Sequence, residues 1–187
     1  MSGGFMQIED SAEISAVKII TPVPFVDERG SFARIFCIRE LAKVLNGKNI
    51  EQINCSSTKI KGSIRGMHFQ KPPHSEIKIV RCTKGSIFDV AVDLRKDSPT
   101  FLKWHGEVLS EQNGKMLLVP EGFAHGFQTL ENNVEMLYLM TASYHKESEG
   151  SIRFDEPLVN IEWKLPPAVL SQKDLATEFL KSDFRGI

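Results

Sequence analysis

Two histidines in this chain have neighbours suited to proton chemistry. His68 lies in Ser63-Ile64-Arg65-Gly66-Met67-His68-Phe69-Gln70. Strand alternation puts Ile64, Gly66 and His68 on one face, with Arg65 on the other unless a bulge intervenes. The glycine lets a ligand or another backbone approach closely. His68 is then either a half-buried imidazole satisfied by hydrogen bonds or a catalytic base. His125 follows a turn in Pro120-Glu121-Gly122-Phe123-Ala124-His125-Gly126-Phe127. Tyr138 lies in Glu135-Met136-Leu137-Tyr138-Leu139, on the face of Met136. It is either a core tyrosine with its hydroxyl satisfied or an acid that delivers a proton to carbon. Asp27-Glu28-Arg29-Gly30 reads as a surface turn, the usual fate of such a sequence, or as a phosphate clamp, since guanidinium forks match phosphate oxygens. Arg65, Lys78 and Arg81 could add to such a clamp.

The Pro-x-Gly turn ahead of His125 resembles a cupin-type element. In metal cupins that histidine joins an earlier His-x-His and a glutamate. Here Gln70 stands at the second histidine position, Glu76 lies too far along, and His74 sits in a Pro-Pro-His loop. Zinc, iron and manganese sites of this kind need several imidazole and carboxylate ligands. A set of His68, Gln70, Glu76 and His125 would be a degraded one, so no metal is assigned.

The elements that must position these residues are short. Runs with strand character are Val17 to Ile20, Ser31 to Phe36, Ile50 to Ser57, Ile77 to Cys82 and Ser86 to Leu94. They continue with His105 to Leu109, Met116 to Val119, Gly126 to Thr129 and Val134 to Thr141. Lys84-Gly85 reads as a hairpin-like break. The close spacing leaves little room for crossover helices and predicts an antiparallel sandwich or barrel. Helices are expected over Arg39 to Leu45, stopped by Gly47, and over Asp174 to Lys181, capped by Ser171.

The length of 187 residues favours one domain, 1–187, with a core that needs no disulfide or metal. Residues 1–15 are read as a flexible lead-in and 166–187 as a tail packing back on the body. A net charge of -1 supplies no field for nucleic acid or an anionic membrane, so an anionic ligand needs a local cation cluster. Cys37, Cys55 and Cys82 are odd in number and form no CxxC pair, which argues against a disulfide scaffold. The acidic N-terminal stretch is not a signal peptide, no run is long enough to span a bilayer, and the cytoplasm is the expected compartment.

Together these segments resemble the dTDP-4-dehydrorhamnose 3,5-epimerase family of the cupin superfamily. The matching words are Asp-Glu-Arg-Gly (27–30), Arg-Gly-Met-His-Phe-Gln (65–70) and Lys-Ile-Val-Arg-Cys (78–82). Phe-Asp-Val-Ala-Val-Asp-Leu-Arg (88–95), Asp-Ser-Pro-Thr (97–100) and Val-Pro-Glu-Gly-Phe-Ala-His-Gly-Phe (119–127) follow. The Tyr138 strand and Leu-Ser-Gln-Lys-Asp (170–174) complete the match, which runs in register from about Val17 to Asp174.

The resemblance implies an all-β, cupin-type double-stranded jelly roll with short peripheral helices, usually a homodimer with strand exchange. It implies an epimerase that inverts C3, C5 or both in a nucleotide-linked 4-keto-6-deoxysugar, with no metal or redox cofactor. It also implies roles. His68 would be the base, Asp174 its partner, Tyr138 the acid on the opposite sugar face, and Lys78 the cation at the enolate oxygen. Arg65 and His125 would surround sugar and phosphates, and Arg29 would touch phosphate. Gln52 and Asn54 would form a nucleotide-site pair, with Phe32 and Tyr144 packing nucleotide or sugar. Arg34 and Glu76-Ile77 depart from the family pattern and bear on which sugar nucleotide is used. The alternatives are a non-catalytic sugar-nucleotide-binding cupin and a metal-dependent cupin oxygenase.

Overall fold

The computed structural model of the chain describes residues 6–187. Its strands run β1 Met6–Asp10, β2 Lys18–Pro22, β3 Phe25–Asp27, β4 Gly30–Phe32, β5 Gln52–Thr58 and β6 Ile64–Gln70. They continue as β7 Lys78–Lys84, β8 Ser86–Asp93, β9 Trp104–Ser110, β10 Met116–Val119, β11 Phe123–Thr129, β12 Val134–Met140 and β13 Glu149–Ser151. Two short helices, α1 Ile38–Leu41 and α2 Gln172–Leu175, flank them.

From β5 to β8 the chain alternates between two antiparallel sheets, then does so again from β9 to β12. One sheet has the order β1-β2-β10-β7-β12-β5 and the other β13-β6-β11-β8-β9. This is the expected double-stranded jelly roll. Alternation inside each strand explains the layers. Val80, Cys82, Leu117, Val119 and Met136 of the first sheet meet Ile87, Ala91, Phe123 and Phe127 of the second in a common core. The outer face of the first sheet is covered by Leu41 and Leu45, and that of the second by Trp163, Leu180, Phe184 and Ile187.

Five local expectations need correction. Lys84-Gly85 is not a hairpin turn, because β7 and β8 lie in different sheets. Gly85, at φ +76°, turns the chain across the sandwich. The strand expected to Phe36 ends at Phe32, in a small two-stranded ladder of β3 and β4 outside both sheets. The helix expected over Asp174 to Lys181 is only α2. Ser171 does cap it, accepting from the Asp174 N–H at 3.0 Å. Beyond it the tail is held by tertiary bonds instead: buried Glu156 accepts the Leu180 N–H at 2.7 Å, and the Ile187 N–H donates to Leu94 O at 2.8 Å. Of the flexible lead-in, residues 6–10 pair with β2 along their whole length, with Ile8 opposite Ile20. Residues 1–5 lie outside the described residues. Similarly, helix α1 covers only the first part of Arg39 to Leu45, and hydrogen-bonded turns carry Leu45 into the core.

Candidate active site

A cavity of about 550 Å³ opens between the two sheets at one end. Its walls include Arg65 and His68 of β6, Lys78 of β7, His125 of β11, Tyr138 of β12 and Asn54 of β5. The tail crosses its rim, where Ala168 N–H donates to Gly62 O and Ile64 N–H to Val169 O, each at 2.9 Å. That crossing brings Ser171 and Asp174 to the cavity.

Arg65 and His68 reach the same space because β6 is bulged. His125 pairs with His68, but Phe127 pairs with Arg65, so three steps on β6 match two on β11. The extra residue cancels the simple alternation that would have sent Arg65 away. Glycine is required at the crossing: Gly66 has φ +127°, and a Cβ there would stand 2.6 Å from Gly126 Cα. Arg65 is then aimed by two bonds, Nε to Thr58 Oγ1 at 2.9 Å and Nη2 to Ser57 O at 3.1 Å.

His68 Nε2 lies 2.6 Å from Asp174 Oδ1. Burial pushes the Asp174 carboxyl up, but the His68 hydrogen bond and charge, helped by Ser171, outweigh it and hold it below its ordinary value. An ionised Asp174 accepts from Nε2–H, which leaves the Nδ1 lone pair as the basic one. The histidine side chain is 34% exposed and the aspartate 3%, so the carboxylate is hidden and the imidazole is open to the cavity.

Tyr138 enters from the other sheet. Its hydroxyl is 2.9 Å from the Ser56 hydroxyl, and burial pushes its pKa up to about 12. The His125 ring stands edge-on to it, with centroids 6.4 Å apart. His125 Nε2 is 2.9 Å from Asp89 Oδ1, and burial raises the Asp89 carboxyl despite that contact. Lys78 Nζ lies 3.1 Å from Glu76 Oε1, both side chains nearly buried.

A second recess of about 210 Å³ shares Asn54, His68 and Lys78 with the first. Gln52 and Tyr144 line it, and the Tyr144 N–H donates to Gln52 Oε1 at 3.1 Å. Nine of the eleven candidate residues therefore converge on this double cavity. Arg29 and Phe32 do not. They sit on the exposed β3–β4 ladder, where Arg29 pairs with Asp27 at 2.6 Å and Phe32 is 76% exposed. Arg81 also faces elsewhere, donating to Gly114 O. Arg34 pairs with Glu40 rather than lining either cavity.

Sequence reasoning missed Ser56, Thr58 and Asp89. The first two had a signal, since Gln52, Asn54, Ser56 and Thr58 alternate along one strand. Asp89 had a weaker one, a carboxylate inside the apolar run of β8. Among the described residues, no group of three or more His, Cys, Asp or Glu side chains is arranged to hold a metal ion. His68 Nε2 faces Asp174 and His125 Nε2 faces Asp89.

The dTDP-4-dehydrorhamnose 3,5-epimerase family profile matches residues 11–182. The chain is 43% identical over 165 residues to the dTDP-4-dehydrorhamnose 3,5-epimerase of Sinorhizobium fredii, covering 88% of this chain and 85% of that one. Among solved structures it is similar to a dTDP-6-deoxy-D-glucose-3,5-epimerase from Legionella pneumophila in complex with dTDP-4-keto-L-rhamnose. The TM-score is 0.87 at 39% identity, over 93% of this chain and 92% of that one. The dTDP-4-dehydrorhamnose 3,5-epimerase of Elizabethkingia anophelis superposes with TM-score 0.89 at 38% identity, over 96% and 98%.

Proposed function

The chain belongs to the dTDP-4-dehydrorhamnose 3,5-epimerase family, and from that premise we propose that His68, Asp174, Tyr138 and Lys78 carry its chemistry. It is an isomerase that inverts carbon beside the ketone of a dTDP-linked 4-keto-6-deoxysugar, converting dTDP-4-dehydro-6-deoxy-D-glucose to dTDP-4-dehydro-L-rhamnose. A proton on such a carbon becomes removable because the ketone can accept charge as an enolate. His68 takes the proton through Nδ1. Asp174 holds the ring in that tautomer and stabilises the imidazolium. Lys78 meets the enolate oxygen, an interaction of the kind typically worth roughly 3 kcal/mol in the transition state. Tyr138 returns a proton to the other face.

One observation carries this reading. His68 and Tyr138 come from opposite sheets and face one cavity, with Lys78 between the two recesses. A sugar held between the sheets presents one face to each group, which is what inversion requires. Arg65 and His125 are assigned to sugar and phosphate, and Gln52, Asn54 and Tyr144 to the nucleotide.

The β3–β4 ladder supports a homodimer. Phe25, Val26 and Phe32 are each more than half exposed there, an apolar surface that a second copy would cover. The ladder would then hand Arg29 and Phe32 to the partner's cavity. The three cysteines are free, and no helix among the described residues is long and apolar enough to cross a membrane, which is compatible with action in the cytoplasm.

The deciding test is solvent hydrogen exchange. The protein is incubated in D₂O with dTDP-4-keto-6-deoxy-D-glucose, and the C3 and C5 protons are followed by NMR. Loss of both signals with appearance of the L-sugar is expected. Folded protein that exchanges neither carbon would overturn the reading.

A further inference from the structure

Beside the candidate site, the fold gives Gln70 and Glu76 a connected set of partners. Both residues are buried, at 5% and 9% exposure. Glu76 Oε1 is 3.1 Å from Lys78 Nζ. Gln70 Nε2 points at Ser143 O, His74 O and Glu76 Oε2, at 3.1, 3.2 and 3.3 Å, and Gln70 Oε1 accepts the His145 N–H at 2.6 Å. Acceptors on one side and a donor on the other settle which amide atom is nitrogen. Gln70 thus grips the backbone on both sides of Tyr144. Gln70, Glu76, Lys78 and Tyr144 all line the smaller recess, and Lys78 lines the larger one too.

An ammonium on a four-carbon stem has many positions open to it, and only some stand over the oxygen where charge develops. A carboxylate at ion-pair distance, itself anchored, leaves few. We propose that Glu76 is a positioning residue: it fixes Lys78 Nζ at the junction of the two recesses and, through Gln70, couples that position to the loop carrying Tyr144. The proposal rests on the reading that Lys78 stabilises the enolate. The carboxylate also offsets part of the ammonium's charge, which alone would weaken it as an electrophile. Position dominates, because a misplacement of about 1 Å can cost on the order of a hundredfold in rate.

A double-mutant cycle tests this. kcat and KM for dTDP-4-keto-6-deoxy-D-glucose are measured for the parent, Glu76→Gln, Lys78→Ala and the pair, with folding checked by thermal unfolding. Glu76→Gln is expected to lower kcat by roughly ten- to a hundredfold and to change KM by less than about threefold. In the Lys78→Ala background it should lower kcat by less than about twofold more, because its route of action is gone. If Lys78→Ala is slow but Glu76→Gln is not, or if the two losses multiply, the inference fails while the lysine's role stands. If Lys78→Ala turns over normally, both fall. Should Glu76→Gln not fold, Glu76→Asp replaces it in the cycle. The same non-additivity is then expected, and full turnover or a multiplying loss overturns the proposal.

Discussion

His68 and Asp174 divide one task unequally, the histidine open to the cavity and the aspartate beneath it. Groups that act mainly in the transition state show in kcat rather than in binding. His68→Ala and Asp174→Asn are therefore expected to lower kcat by about 10²–10⁴-fold while nucleotide affinity changes little, as read by steady-state kinetics and calorimetry with dTDP. Equal losses in both would make the pair structural. Tyr138→Phe separates the half-reactions: exchange of the carbon proton with D₂O should persist while the L-sugar fails to form. Normal inversion would remove Tyr138 from the mechanism. Asp174 also gives a pH signature. Its carboxyl is held below the ordinary value, so its stabilisation is present above the unfolded aspartate range near ~4 and is lost as pH falls through the lower folded value. The gap in melting temperature between parent and Asp174→Asn should shrink as pH falls below about 4. A gap that widens in acid would contradict the assignment.

At the scale of elements, the bulge in β6 decides whether the site exists, and it hangs on Gly66 and Gly126. An alanine at 66 meets Gly126 Cα at 2.6 Å and His125 O at 2.9 Å, in a backbone conformation that L side chains avoid. Gly66→Ala should cost roughly 2–4 kcal/mol by urea unfolding, combining backbone strain with overpacking, and should lower turnover as Arg65 and His68 lose their common direction. Stability within about 0.5 kcal/mol of the parent would mean that the crossing relaxes freely. The same region shows what was legible in the sequence. Strand character for most of the runs followed from alternation and spacing, and the motif words singled out His68, Tyr138 and Lys78, which line one cavity. The direction of Arg65 did not, because one inserted residue reverses a period-two pattern and only the pairing with β11 reveals it. Lys84-Gly85 misled for a related reason: a glycine turn joins strands of one sheet or of two with the same local chemistry. Residues 176–181 failed as a helix because Glu156, distant in sequence, supplies the hydrogen bond that holds Leu180.

At the scale of the molecule, a chain of net charge -1 must gather a nucleoside diphosphate through placed cations. Arg65, Lys78 and Lys173 line the larger cavity. Arg29, the remaining candidate phosphate contact, stands on a ladder that lies outside both sheets and exposes Phe25, Val26 and Phe32. Self-association would cover that apolar surface and bring Arg29 to a site at once, but only if the ladder crosses to the partner. Crossing has a consequence that a simple dimer lacks. In a heterodimer of His68→Ala and Arg29→Ala chains, one cavity carries both lesions and the other carries neither. Random co-assembly makes about half of the dimers mixed, so roughly a quarter of all cavities should be intact, although each parent variant is impaired at every site. Co-expressed chains carrying different affinity tags and purified through both would hold only mixed dimers. At substrate levels well below KM, half of wild-type turnover per dimer is expected from them. Turnover no higher than the sum of the parent variants would place Arg29 and His68 in the same chain's cavity, and a monomeric parent by sedimentation would end the exchange model altogether.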